Sequence, residues 1–143
     1  MAIKYYILDT ETTGLKAGFH EINQLSVIRM EDGFQRSWHI AVKNPNRASE
    51  QALEIQNITK ADLRKGIPIE QAVNECTAFL EEDGLNPESR CVIGHNVAFD
   101  RRFTHAEWLS CNKRFPCDLW LCTKKYYKSY VNRIGDAKII ELQ

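Results

Sequence analysis

The 143-residue sequence lacks the features that mark secreted, membrane-spanning and disordered proteins. It has no net charge, because 19 lysines and arginines balance 19 aspartates and glutamates, so overall charge gives no general attraction to nucleic acids or membranes. No run approaches 18 apolar residues and no signal-peptide core is seen, so we expect a cytoplasmic protein without a membrane partner. Only seven glycines and four prolines occur, and 43% apolar with 27% charged residues excludes collagen-like and disordered chains.

The cysteines are also too few and too irregular to build a disulfide or zinc scaffold. There are five, an odd number, and no two are spaced as Cys-x-x-Cys. Cys111, Cys117 and Cys122 are loosely clustered, and we interpret them as buried or free thiols rather than as zinc ligands. The cysteine pattern therefore favours a reduced, intracellular protein.

In the first third of the chain, apolar residues occur in short runs typical of strands. Residues 3–8 form one such run, and residues 25–30 and 34–42 form two more on either side of Asp32-Gly33. Because Asp-Gly between two apolar runs favours a tight hairpin turn, we expect an antiparallel pair there. The sequence thus predicts one strand followed by a β-hairpin.

The rest of the chain favours helices separated by short strands. Between residues 69 and 82 apolar positions recur at helical spacing, which predicts an amphipathic helix. The other predicted elements are helices from residue 50, over 59–64 and over 98–109, strands at 91–93 and 119–123, and a helical tail. This order and the length predict a single α/β domain over residues 1–143, with helices flanking a mixed sheet.

Two carboxylates follow the first predicted strand at a spacing that suits metal binding. Asp9 and Glu11 are two residues apart, so in an extended chain both side chains lie on the same face. Two such charges repel each other unless a cation neutralises them, and Mg²⁺ and Mn²⁺ prefer oxygen ligands. The same spacing at Glu81 and Asp83 marks only a solvated helix end. The apolar strand and the small residues that follow Glu11 distinguish the first pair.

A second block of polar residues lies where a short predicted strand passes through Gly94 into a helix. Asn96 is placed to cap this helix, and Asp100 falls near its first turn, where the helix dipole favours a carboxylate. Taken alone, Asp100 could serve only the helix, Asn96 could be only a cap, and His95 only a turn residue. This block acquires a chemical meaning only together with the first.

Together, the two blocks resemble the DnaQ-like family of DEDD 3′–5′ exonucleases, a branch of the ribonuclease H-like superfamily. The first block is residues 7–15, Ile-Leu-Asp-Thr-Glu-Thr-Thr-Gly-Leu, and the second is residues 94–100, Gly-His-Asn-Val-Ala-Phe-Asp. Residues 20–25 resemble the family's lead into its second strand, and residues 55–59 resemble its loop beside the terminal base of the substrate. The resemblance implies a ribonuclease H-like mixed sheet in which the second strand is antiparallel.

The resemblance also implies a reaction and its residues. The reaction is phosphodiester hydrolysis at DNA or RNA 3′ ends with two divalent metal ions, Mg²⁺ or Mn²⁺, which stabilise the attacking and leaving oxygens. Asp9 would bridge both ions, Glu11 would hold one and Asp100 the other. The implied substrate contacts are Thr12, Gly14, Leu15, Ile55, Asn57 and Asn96. Leu15 would pack on the base, although ordinary loop packing explains it equally, and Phe99 and Phe103 fit a core better than a stacking platform.

A fourth carboxylate of the family, carried with a histidine or tyrosine on a late helix, has no match here. The later acids are Glu107, Asp118, Asp136 and Glu141, and only Asp136 is in a helix-start setting, where it fits a cap. We therefore expect a domain shortened or truncated before its final helix. It could be a piece of an active enzyme, a naturally shortened inactive module, or a chain that gains the last ligand from a partner or from Asp136.

Two functions follow from these alternatives. The first is a metal-dependent 3′–5′ exonuclease domain, with a polymerase or another protein as a possible partner. The second is an inactive nuclease-fold module that binds nucleic-acid ends or a protein. The zero net charge also hides an asymmetry that suits both, since residues 1–100 carry 10 bases and 15 acids, whereas residues 101–143 carry 9 bases and 4 acids. A basic surface for a phosphate backbone and a merely solvated basic face both explain that excess.

Overall fold

A five-stranded mixed sheet runs through residues 2–124, the part of the chain that the structure, a computed structural model, describes. The strand order is β3-β2-β1-β4-β5. The strands are β1 (Lys4–Thr12), β2 (Ile22–Arg29), β3 (Gln35–His39), β4 (Arg90–Gly94) and β5 (Leu119–Cys122). β1 pairs antiparallel with β2 and parallel with β4, β3 pairs antiparallel with β2, and β5 pairs parallel with β4. The predicted mixed sheet with an antiparallel second strand is confirmed.

Three helices accompany the sheet: α1 (Glu50–Gln56), α2 (Ile69–Glu81) and α3 (Val97–Ser110). Short 3-10 turns at Pro45–Arg47, Asp62–Arg64 and Pro87–Ser89 connect the larger elements. Ser49 caps α1 as predicted, since its hydroxyl accepts a hydrogen bond from the Ala52 N–H at 3.1 Å. The helix predicted over 59–64 is only a single 3-10 turn, and the predicted tail helix lies outside the described residues. None of these helices is long and apolar enough to cross a membrane.

The predicted hairpin joins β2 and β3. Gly33 has a φ of 73°, a conformation that glycine adopts without strain, and its N–H donates to the Arg29 carbonyl at 2.8 Å. β2 begins at Ile22, three residues earlier than predicted. β3 ends at His39, because the Ala41 and Val42 N–H groups leave the sheet and donate to Ile67 and Leu63.

β1 is longer than its apolar run predicts. The pattern of apolar residues stops at Leu8, but the strand continues to Thr12 because β2 supplies hydrogen-bonding partners, with Asp9 opposite Ser26. The β1–β4 ladder ends earlier, at the Ile7–Ile93 pair. The last residues of β1 therefore project beyond the end of β4, next to the N-terminus of α3.

The two faces of the sheet differ in their cover. α2 and α3 pack on one face, where the core includes Tyr6, Leu8, Val73, Phe79, Val92, Phe103 and Trp108. On the other face the register aligns Tyr5 with Cys91 and Leu119, and it aligns Ile7 with Leu121 through β4. Tyr5, Ile7, Leu119 and Leu121 are all exposed over at least a third of their surface. The described part of the chain thus has one closed core and one partly open apolar face.

A buried ion pair fixes the start of β4. The Arg90 side chain is 1% exposed and its Nε and Nη2 atoms donate to the Asp83 carboxylate at 2.9 and 2.8 Å. Arg90 Nη1 also donates to the Pro116 carbonyl at 2.9 Å, and the Tyr6 hydroxyl donates to Asp83 at 2.8 Å. Burial alone would raise the pKa of the Asp83 carboxyl, but these bonds and the Leu85 N–H hold it below its usual value.

We expect Arg90→Met to lower the free energy of unfolding by about 3–5 kcal/mol, because it leaves the Asp83 charge buried without its partner. Urea denaturation followed by tryptophan fluorescence measures this change. Lys4 is the register partner of Arg90 on β1 and forms an exposed ion pair with Glu31. The control Lys4→Met should therefore cost less than about 1 kcal/mol. Equal losses in the two variants would contradict the role assigned to the buried pair.

Candidate active site

The first two carboxylates of the site lie where β1 extends past β4. Asp9 is exposed, and Glu11 is half-buried in the same strand. Burial, followed by the negative charge of Asp9, raises the pKa of the Glu11 carboxyl. The alternation of a strand places Asp9 and Glu11 on one face and Thr10 on the other. β1 thus holds two mutually repelling acids and, between them, a hydroxyl that faces α3.

Asp100 supplies the third carboxylate from the first turn of α3. Its side chain is buried, and its Oδ1 atom accepts a hydrogen bond from the Thr10 hydroxyl at 2.6 Å. Burial raises the pKa of Asp100 to about 6, the charges of Asp9 and Glu11 raise it further, and the Thr10 bond opposes the shift. The predicted acids from two distant parts of the sequence therefore act on one another electrostatically.

Gly94 gives the Asp100 carboxylate its space. A Cβ at position 94 would lie 3.2 Å from Asp100 Oδ2, 3.1 Å from Val97 Cγ2 and 3.4 Å from the Leu8 carbonyl oxygen. Any larger residue would press on the carboxylate that Thr10 holds. Sequence reasoning missed the positioning roles of Thr10 and Gly94. The available signals were a hydroxyl residue between two acids and a glycine at the end of a buried strand.

The segment after β1 is held to the rest of the protein by its backbone. The Thr12 hydroxyl donates to the Gly14 carbonyl at 2.7 Å, and Gln56 Nε2 donates to the Thr12 carbonyl at 2.9 Å. Thr13 is buried and exchanges two hydrogen bonds with the backbone of Glu21, each 2.9 Å long. This segment therefore has a fixed position relative to α1.

Gly14 is needed for close packing rather than for an unusual backbone angle. A Cβ at this position would lie 2.5 Å from the His20 ring, so no other residue fits unless the ring moves. The His20 ring is itself held, because its Nδ1 accepts from the Lys16 N–H at 3.1 Å and Phe19 packs edge-on against it. The loop that carries Leu15 is thus built on a packed base.

A groove of about 190 Å³ lies between this loop, α1 and α3. Four of the predicted substrate contacts line it: Thr12, Gly14, Leu15 and Ile55. Leu15 is 79% exposed and Ile55 73% exposed, so loop packing does not account for Leu15. Phe99 is half-buried and both lines the groove and stacks on Phe103 at 4.7 Å between ring centroids. Glu11 and Thr10 also line the groove, which connects it with the carboxylates.

The structure does not bring the two predicted asparagines into this groove. Asn57 ends α1 and Asn96 precedes α3, both in the left-handed conformation, with φ values of 55° and 63°. The prediction that the Asn96 side chain caps α3 is wrong, because it makes no capping hydrogen bond. Asparagine tolerates left-handed angles, so both residues serve the backbone turns. His95 is a turn residue whose Nδ1 lies 3.2 Å from the Thr123 hydroxyl.

The later acids that the structure describes do not join the site. Glu107 lies on the β2 side of α3, where burial and the charge of Glu21 raise its pKa to about 7. Asp118 pairs with Arg114. The charges that act on Asp100 come from Asp9 and Glu11 instead. Asp136 and Glu141 lie outside the described residues.

The donor set suits a hard divalent cation, but the side chains are not closed around one. Carboxylate oxygens are the ligands that Mg²⁺ and Mn²⁺ prefer, and a cation would offset the repulsion among the three acids. Within residues 2–124, however, no three His, Cys, Asp or Glu side chains already form a group that could hold a metal ion. Asp9, Glu11 and Asp100 therefore form an electrostatic cluster that fits a metal chemically and would have to close on it.

A comparison with family models decides how these features are interpreted. A family described as "Exonuclease" matches residues 6–139, nearly the whole chain. This chain belongs to the exonuclease family. Membership is shown by the match itself, and it agrees with the DnaQ-like resemblance of the two sequence blocks.

Relatives of this exonuclease-family chain include much longer proteins. The chain is 31% identical over 100 residues to DNA polymerase III PolC-type of Thermotoga petrophila, which covers 69% of this chain and 7% of that protein. It is 24% identical over 142 residues to the PolC-type protein of Mycoplasmopsis pulmonis, which covers 94% of this chain and 9% of that protein. The chain thus spans less than a tenth of these relatives.

Solved structures confirm the ribonuclease H-like fold. A product-bound structure of exonuclease I matches with a TM-score of 0.74 and 16% identity over 93% of this chain and 33% of that one. The complex of E. coli exonuclease I with a dT13 oligonucleotide matches with a TM-score of 0.75 and 16% identity, covering 92% of this chain and 30% of that one. At this identity the likeness establishes the fold.

We expect Asp100→Asn to stabilise the metal-free protein above neutral pH. The folded-state pKa of about 6 lies above the model value of 3.8, so the folded state favours protonated Asp100 and loses stability as pH rises through 6. The variant should match the wild type near pH 4 and exceed it by about 2 kcal/mol above pH 7. Urea denaturation in EDTA at several pH values tests this, with Glu88→Gln on an exposed turn as the control. A difference that does not change with pH would contradict it.

Proposed function

We propose that this chain is a metal-dependent 3′–5′ exonuclease domain that hydrolyses phosphodiester bonds at the 3′ ends of DNA or RNA. The observation that carries the proposal is the coupling of the buried Asp100 carboxylate to Asp9 and Glu11 at the mouth of a groove. Family membership supports a nuclease. The 3′–5′ direction and the metal mechanism are our proposal.

Each acid has a proposed role. Asp9 would bridge two Mg²⁺ or Mn²⁺ ions, Glu11 would hold one and Asp100 the other. When bound, such ions stabilise the attacking and the leaving oxygen of the scissile phosphate. Because ligation requires the ionised carboxylate and Asp100 has a raised pKa, the Thr10 hydrogen bond favours the form that binds metal. Asp100 should therefore limit activity on the acidic side.

The groove gives the 3′-terminal nucleotide a binding place beside these acids. The backbone of Thr12 and Gly14, fixed by its hydrogen bonds, would hold the terminal nucleotide. Leu15 and Ile55 are exposed apolar side chains on opposite walls and would pack against the terminal base. Burying that apolar surface compensates for the loss of base stacking when the end leaves a duplex. Asn57 and Asn96 have no role in this arrangement.

A polymerase is the partner that the relatives suggest. The matched relatives are PolC-type DNA polymerases, and the matched exonuclease I structures include one with a dT13 oligonucleotide. We propose that this chain also works on 3′ ends and that a polymerase is a candidate partner. The inactive end-binding module remains the competing function, and cleavage decides between the two.

We expect the wild type to shorten a 5′-labelled oligonucleotide stepwise from its 3′ end in Mg²⁺ or Mn²⁺ and not in EDTA. Asp9→Asn should reduce the rate by about 100-fold or more, because losing a ligand costs at least as much as losing a residue that supports one. Glu88→Gln is the matched control and should retain the wild-type rate. Parallel DNA and RNA substrates identify the nucleic acid, and a 3′-phosphate block tests the direction. Binding without cleavage, or cleavage that survives Asp9→Asn, would overturn the proposal.

Thr10→Val should shift the acidic limb of the rate–pH profile to higher pH. The Thr10 hydroxyl lowers the pKa of Asp100, so its removal lets burial and the neighbouring acids raise that pKa further. At neutral pH we expect a loss of about 10- to 100-fold, the range typical of residues that orient a metal ligand. Thr10→Ser retains the hydroxyl and should restore the profile. A loss in Thr10→Val that is equal at every pH would refute this positioning role.

A further inference from the structure

A second groove, which we call the basic groove, lies on the other side of α3 from the substrate groove. It has a volume of about 370 Å³ and lies between α3, β5 and the loop that joins them. Its lining includes Arg101, His105, Leu109, Lys113, Arg114 and Trp120. None of these residues belongs to the candidate active site.

The basic groove begins next to the site and leads away from it. Arg101 directly follows Asp100, and Arg101, His105 and Leu109 are four residues apart on α3. This spacing places them on one helix face, in a row about 12 Å long at 1.5 Å per residue. Lys113 continues the row just past the end of α3. A chain that leaves the site along this face would meet the whole row.

The positive charges of the basic groove are mostly not neutralised. No ion pair joins Arg101 to an acid within the described part of the chain, and Lys113 bonds to the neutral side chain of Asn74. Arg114 has an acidic partner, Asp118, the one acid among the groove-lining residues. Three bases therefore face one acid, so an anion is the complementary ligand.

The charges also converge on the middle of the groove. Burial lowers the pKa of His105, and the positive charges of Arg101 and Arg114 lower it further. Both guanidinium groups therefore act on the same imidazole from different elements. Asp118 on the facing loop opposes their effect. The field at His105 is positive on balance.

An aromatic floor lies beneath these cations. The His105 ring meets Trp120 edge-on at 5.8 Å, and Trp120 packs on Phe115 at 5.4 Å between centroids. Leu109 is 73% exposed at the rim. A cationic track with aromatic surfaces is the arrangement by which proteins bind single-stranded nucleic acids, since the cations contact phosphates and the rings contact bases.

We propose that the basic groove binds the sugar–phosphate backbone of a single-stranded nucleic acid whose 3′ end occupies the candidate active site. The proposal rests on the proposed function only for the position of the 3′ end. An acidic peptide would also complement the charge. The start of the groove beside Asp100 and its aromatic floor favour the nucleic acid.

Fluorescence anisotropy of a labelled 20-nucleotide single strand in EDTA tests the proposal without any cleavage. The variant is the double substitution Arg101→Gln with Lys113→Gln, made in the full chain. The control, Lys60→Gln with Arg64→Gln, removes the same charge from exposed positions outside the basic groove. We expect weaker binding for the groove variant alone, with a log–log salt slope shallower by about 1.4, since each single-strand phosphate contact contributes roughly 0.7.

The other outcomes are equally distinct. A dinucleotide, which is too short to reach the basic groove, should be indifferent to the groove variant, and that result supports the proposal. Unchanged oligonucleotide affinity and slope would overturn it, as would a groove that binds an oligo-glutamate peptide without competition from the oligonucleotide. If the proposed nuclease function fails, wild-type protein in Mg²⁺ will not cleave, yet the anisotropy difference between groove variant and control will remain.

Discussion

The buried carboxylate of Asp100 sets the conditions for the rest of the site. Its ionised form is opposed by burial and by the charges of Asp9 and Glu11, and it is favoured by one short hydrogen bond from Thr10. The first turn of α3 adds the helix dipole, which also favours a negative charge. The metal-free protein therefore holds an electrostatic strain that a divalent cation relieves, and this strain arises from folding rather than from local sequence.

Unequal strand pairing around β1 makes this arrangement possible. β2 continues alongside β1 to Thr12, whereas the pairing with β4 stops at Ile7, so polar residues of β1 lie beside the start of α3. Gly94 then lets the chain turn into α3 without filling the space that Asp100 needs. The buried Arg90–Asp83 pair fixes the start of β4, so a stability element and the site share one strand.

Much of this architecture could be predicted from local patterns. Asp32-Gly33 indicates the hairpin, the helical spacing over 69–82 indicates α2, and the two acidic blocks indicate the site. The extension of β1 past Leu8 could not be predicted, because its partners are supplied by β2. The roles of Thr10 and Gly94 likewise depend on a contact across about ninety residues of chain. The basic groove is formed only when β5 packs beside α3, so composition indicates the basic excess without its location.

The partly open face of the sheet has a consequence for how β5 finds its place. Leu119, Trp120 and Leu121 are all apolar, so sliding this edge strand by one residue would exchange one apolar side chain for another. Hydrophobic patterning therefore specifies its alignment only weakly. Alignment comes from outside the strand, through the Asp118 N–H bond to the Pro87 carbonyl at 2.9 Å and the packing of Trp120 on Phe115. A strand whose sequence tolerates two registers is thus held in one by the chain segment that precedes it.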